Sequence, residues 1–175
     1  TSGETSRSVF HVMLAAVERV RGALPIDVVG ELARYLESRG LDADPEDIGN
    51  QGAFLLGKAT AAYGKAGFTA LVLESKQELV ELYGPRSTYW AQRGVNIDPR
   101  VSAAVQANLL DLARHHHALA QKQGGDADRD AAVRWYREYL DGFDTSMEAP
   151  ATRLLLADLL LEGTRYAEAA DEYEK

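Results

Sequence analysis

Between Ala131 and Lys175 the apolar residues recur at the spacing of an α-helix, broken only where the chain has to turn. Leu156 and Leu160 stand four apart, as do Ala169 and Tyr173, so each pair shares one helix face. Gly163-Thr164 separates the two runs, where a turn is expected. Ala157 and Ala169 are small residues set among large ones. Such residues let two helices approach closely at one level, while the large neighbours fill the space above and below. A chain built this way folds as helices laid against helices.

The pattern repeats upstream. Ala132 and Ala169 lie 37 residues apart, and so do Tyr136 and Tyr173, with Tyr139-Leu140 completing the earlier copy. Leu112-Ala113 and His116 precede Leu156-Ala157 and Leu160 by 44 residues, and Leu56-Gly57 precedes Leu156-Ala157 by 100. The difference between 44 and 37 marks an insertion of about two helical turns within the middle unit.

Leu156, Ala157, Leu160, Tyr166, Ala169 and Tyr173 each fall on a position that resembles the tetratricopeptide repeat, whose usual period is about 34 residues. Arg153 and Thr164 depart from it, standing where the family often has an aromatic residue and a glycine. The longer link from Asp144 to Pro150, after Tyr139-Leu140 and Phe143, is similar to repeats of bacterial envelope proteins, over roughly Gln77 to Lys175. The resemblance implies an all-α fold of about eight helices, paired as antiparallel hairpins and stacked as an α-solenoid. It also implies a periplasmic or envelope location, with the cytoplasm as the alternative.

The remaining helices follow from periodicity and breakers. Val9, Val12, Met13, Ala16, Val17 and Val20 define one helix, and Ile26, Val29, Leu32, Ala33 and Leu36 a second. They form a hairpin over 1–48, distinct from the repeats of 49–175. Leu41 to Asn50 reads as a loop and Gln51 to Ala66 as a helix. Gly67-Phe68 is a turn. The next helix runs to Tyr83 with Leu71, Leu79 and Leu82 inward, and Gly84-Pro85 ends it. Arg86 to Arg93, with Tyr89 and Trp90, covers a gap in the core. Asp98-Pro99 caps a long helix reaching Lys122, and Gly124-Gly125 turns the chain.

Composition narrows the chemistry. The 175 residues carry a net charge of −8, which disfavours nonspecific nucleic-acid binding and attachment to an anionic membrane. The lack of cysteine excludes disulfides, thiolate zinc sites and a cysteine nucleophile. No run reaches the roughly 18 apolar residues of a membrane span. His115-His116-His117 does not read as a metal site, because successive helical residues point about 100° apart. His116 is expected to pack inward, with His115 and His117 facing water or a groove. Trp135, Tyr136 and Tyr139 read as core rather than as a stacking platform. No carboxylate pair, nucleophile motif or phosphate loop is present, so neither an enzyme nor a cofactor is expected.

The function expected is a scaffold that binds a protein or peptide on a concave face. The alternative is a sensor domain holding a small ligand between helices. The resemblance places the groove on alternate turns of the first helix of each hairpin, turned away from the second. Those positions are Ala151, Leu154, Asp158 and Leu161, then Ala107, Leu110, Arg114 and His117, then Gln51, Phe54, Lys58 and Ala61. The sharpest candidates are Lys58, Phe54, Leu110, Arg114, His117, Leu154 and Asp158, with Arg114 able to pair with Asp158. The chain starts at Thr1 without Met and stops at Lys175 inside a helical pattern. It therefore reads as a piece of a longer protein, with apolar surface at its last helix that invites self-association.

Overall fold

The computed structural model describes residues 45–175. The expected hairpin over residues 9–39 lies outside the described residues. Within them the chain forms seven α-helices and one short 3-10 turn, with no strand. These are α1 (Pro45–Ala66), α2 (Thr69–Tyr83), α3 (Thr88–Arg93), α4 (Pro99–Gln123), α5 (Asp126–Phe143), α6 (Ala149–Glu162) and α7 (Tyr166–Tyr173), with the 3-10 turn at Gly94–Asn96.

Local chemistry sets the boundaries. Gly67 adopts φ 78°, the left-handed conformation glycine tolerates, and so closes the turn between α1 and α2. Ser87 caps α3 by accepting from the Trp90 N–H at 3.1 Å. Asp98 caps α4 by accepting from the Arg100 N–H at 2.7 Å, with Pro99 in the first turn. Gly124, at φ 68°, donates its N–H to the Ala120 carbonyl and ends α4. Thr164 takes φ 60° without being glycine, between Gly163 and Arg165, whose N–H groups satisfy the Leu159 and Leu160 carbonyls. Two boundaries differ from expectation. A helix, not a loop, begins at Pro45, so the proposed division at residue 48 falls inside α1. The short α3 is an additional helix.

Three hairpins carry the most extensive contacts: α1 with α2, α4 with α5, and α6 with α7. Their partners run antiparallel. Gln106, early in α4, donates to the Tyr139 hydroxyl late in α5 at 3.0 Å, and His117, late in α4, meets Tyr136. Between hairpins, α2 packs on α4 and α5 on α6, while α1 also reaches α4. Each hairpin thus leans on its neighbour in sequence.

The core follows these contacts. Leu79, Val80 and Tyr83 of α2 pack with Val101, Val105, Leu109, Leu112 and Ala113 of α4. Trp135, Tyr136 and Tyr139 of α5, together with Leu156, Leu159 and Leu160 of α6, continue it. Fully burying one such leucine contributes about 1.5–3 kcal/mol. Leu71, expected inward, is exposed. As anticipated, α3 plugs the core: Tyr89 meets Tyr83 edge-on at 4.9 Å, and Trp90 meets Phe143 at 5.5 Å. Gly52 permits the tightest approach, because a Cβ there would stand 2.0 Å from the Tyr83 hydroxyl.

The last helix is held by charge as well as packing. Glu168 accepts from Arg137 of α5 at 2.5 Å and from Arg165, and Glu172 accepts from Arg153 of α6 at 2.8 Å. The Arg165 and Arg137 hydrogen bonds pull the Glu168 carboxyl down to about 2.

Candidate functional site

The outer face of α6 is where the expected groove is most open. Ala149, Thr152, Leu156, Ala157, Leu159 and Leu160 are buried. Ala151, Leu154, Asp158 and Leu161 recur at three- and four-residue steps on the opposite side and are all exposed. A helix with leucine on both sides has more apolar surface than its own domain can cover. Leu154 and Leu161 remain 55% and 47% exposed.

On α4 the expected stripe divides. Ala107 and Arg114 are exposed, and Arg114 makes no ion pair among the described residues. It does not reach Asp158. Leu110 is buried and belongs to the core cluster, so packing rather than a groove explains it. His117 is also buried, contrary to its expected place in the groove. Its Nδ1 lies 3.1 Å from the Tyr136 hydroxyl, and the two rings meet edge to face at 5.8 Å. Its Nε2 is buried without a partner among the described residues. His116, expected inward, is instead half-buried with Nδ1 2.8 Å from Asp128 of α5. His115 is exposed. The His115 and His116 rings meet edge to face at 5.3 Å while His117 turns inward, and no cluster of metal-ligating side chains forms among the described residues.

On α1, Phe54 is partly buried against the core, with the Arg100 guanidinium 4.7 Å from its ring centre. Ala61 is exposed. Gln51 and Lys58 belong to the same helix, with side chains outside the described set.

Asp158 needs a correction of another kind. It was expected to face away from the second helix of its hairpin, yet it accepts from the Tyr173 hydroxyl of α7 at 2.5 Å. The tyrosine side chain is long enough to reach the exposed side of α6 from α7. Beside it, Glu162 accepts from Gln121 of α4 at 3.2 Å, which ties α4 to α6. Asp158 and Glu162 both send their charge toward His117. Arg114 acts on the Tyr136 hydroxyl, which burial pushes up to about 12. Hydrogen bonds join His117 to Tyr136 and Asp158 to Tyr173, and bring neither pair to Arg114.

Burial lowers the His117 pKa below its ordinary 6.5, and the two carboxylates offset this only in part. A neutral ring is what the fold prefers. The unfolded chain takes up this proton at a higher pH than the folded one, so stability holds above about 6.5 and falls as pH drops below it. Urea midpoints across that range should decline for the native chain and decline less for His117→Phe. Equal slopes in both proteins would mean that His117 has no part in the pH response.

Among the described residues no helix is long and apolar enough to cross a membrane. The chain matches no family model, no curated protein and no solved structure, so its function is to be read from the surface described above.

Proposed function

We propose that the chain is a non-enzymatic helical-repeat scaffold that holds a protein or peptide segment along the exposed faces of α4 and α6. The observation that carries this reading is the open stripe of Ala151, Leu154, Asp158 and Leu161 on α6, with Ala107 and Arg114 likewise exposed on α4. Apolar side chains interspersed with single charges suit a bound segment that is gripped by its side chains and oriented by a few ionic contacts. Two further features support it. The hairpins contact their neighbours in sequence order, as stacked repeats do. The residue spacing resembles the tetratricopeptide repeat in Leu156, Ala157, Leu160, Ala169 and Tyr173. A place in a bacterial envelope complex, on the periplasmic side, is the finer form of the proposal. It rests on the long link between Phe143 and Pro150.

Selection of displayed random peptides against the chain tests the reading. Peptides that bind should lose about tenfold in affinity, or ~1.4 kcal/mol, on Arg114→Ala or Leu154→Ser. Both side chains are exposed, so thermal stability should move by no more than about 0.5 kcal/mol. Selected peptides that ignore both changes, and respond instead to Arg134→Ala on α5, would move the binding face elsewhere.

A further inference from the structure

We propose that the exposed apolar surface shared by α6 and α7 receives an amphipathic helix carrying lysine or arginine beside its apolar face. The inference rests on the reading of the α6 stripe as a binding surface. It extends that surface onto α7 and names the kind of partner.

Four large apolar side chains meet solvent here: Leu154 and Leu161 of α6, and Tyr166 and Tyr173 of α7. The two tyrosines are 63% and 45% exposed. Within each helix the pair is seven residues apart, so it forms a row two turns long on one face. Two ties set the rows side by side. The Tyr173 hydroxyl donates to Asp158, which stands between Leu154 and Leu161. At the other end, the turn through Gly163, Thr164 and Arg165 carries the chain from Leu161 to Tyr166. Two apolar rows of helical period, tied together by Tyr173, match the seven-residue spacing that the apolar face of a third helix presents. An extended strand alternates its side chains and matches this spacing poorly.

Charge selects the occupant. Asp158 and Glu162 are exposed beside the leucine row of α6, and Glu174 is exposed just past the end of α7. The cations on the same elements or at their ends are already engaged: Arg153 and Lys175 with Glu172, and Arg165 with Glu168 and Asp130. The face therefore carries surplus negative charge. A second copy of this chain, at net charge −8, would bring the same carboxylates against themselves. A helix with basic flanks meets apolar rows and carboxylates together.

The test uses the 175-residue chain and two synthetic helices of one leucine pattern, one with lysine and one with glutamate at the polar positions. The lysine helix should bind at least tenfold more tightly. Amide shifts should centre on Leu154, Leu161, Tyr166 and Tyr173. Leu161→Ser and Tyr166→Ser should each weaken binding at least fivefold, with the melting temperature unchanged. Equal binding of both helices, or of neither, overturns the proposal. So does insensitivity to the two serine variants. Shifts confined to Arg114 and the rest of α4 also overturn it, while leaving the scaffold reading intact. Sedimentation showing a dimer that Leu161→Ser dissolves would make a second copy the occupant and sink the proposal.

Discussion

Replacing Trp135 by alanine should lower the stability of the fold by about 3–5 kcal/mol, the range for removing a fully buried large aromatic. Trp135 is almost completely enclosed, and it belongs to the core that joins the three hairpins. Its neighbours explain why the loss should be large. Tyr136 and Tyr139, on one side of α5, engage His117 and Gln106 of α4. Glu138, on the other side, comes against Gly84 at the end of α2, where its carboxylate oxygen would lie 3.0 Å from an added Cβ. Trp135 stands between these two sides on α5 and belongs to the continuous core cluster. The Arg134 guanidinium lies 3.7 Å above its ring, a contribution of about 0.5–1 kcal/mol that alanine also removes. Chemical denaturation reads the change directly. A loss below about 1 kcal/mol would mean that α5 does not link the hairpins through this side chain.

The positions that were legible in the sequence are those decided by local backbone chemistry. Gly67, Asp98-Pro99 and Gly124 each announce a boundary, because a left-handed turn or a capping oxygen requires that residue type wherever it occurs. Pro45 was less decisive. Proline suits a loop and the first turn of a helix equally, so the residue alone does not say that α1 has begun. Leu112, Ala113, Leu156 and Ala157 were placed correctly because their burial follows from helical period.

Histidine placement failed for a physical reason. One residue along a helix is a turn of about 100°, so the offset that places Leu112 and Ala113 inward points to His116 rather than its buried neighbour His117. What selects His117 is the Tyr136 hydroxyl on the facing helix, and no spacing within α4 reveals it. The same holds for Asp158, whose partner is the tip of a long side chain from α7. Leu110 and Leu154 occupy equivalent turns of two first helices, yet one is buried and the other open. Their own sequence does not distinguish them. The packing around each helix does.

Replacing Ala169 by leucine should cost about 1–3 kcal/mol, the usual penalty of forcing extra methylenes into a filled site. Ala169 is buried on α7 and joins the core cluster, while Tyr166 and Tyr173 on either side of it reach outward. Three added heavy atoms would contribute on the order of 2 kcal/mol of burial if space existed. It does not exist where α7 lies against α6, so the helix must lift. Lifting α7 strains the Arg137–Glu168 and Arg153–Glu172 bridges that hold it to α5 and α6. Glu168 is substantially exposed, so solvent screens its bridge and the loss there is small. The Arg153–Glu172 pair is more enclosed and contributes more of the resistance. Because α7 has only eight residues and leans on α6 along one side, part of the strain is relieved by displacement. The cost should therefore fall toward the lower half of the range. Ala170→Leu, one step along on the exposed side, should leave the urea midpoint within about 0.5 kcal/mol of the native value. If Ala169→Leu behaves the same way, the close approach of α7 to α6 at this level is wrong. The register that pairs Ala157 with Ala169 across the hairpin then fails with it.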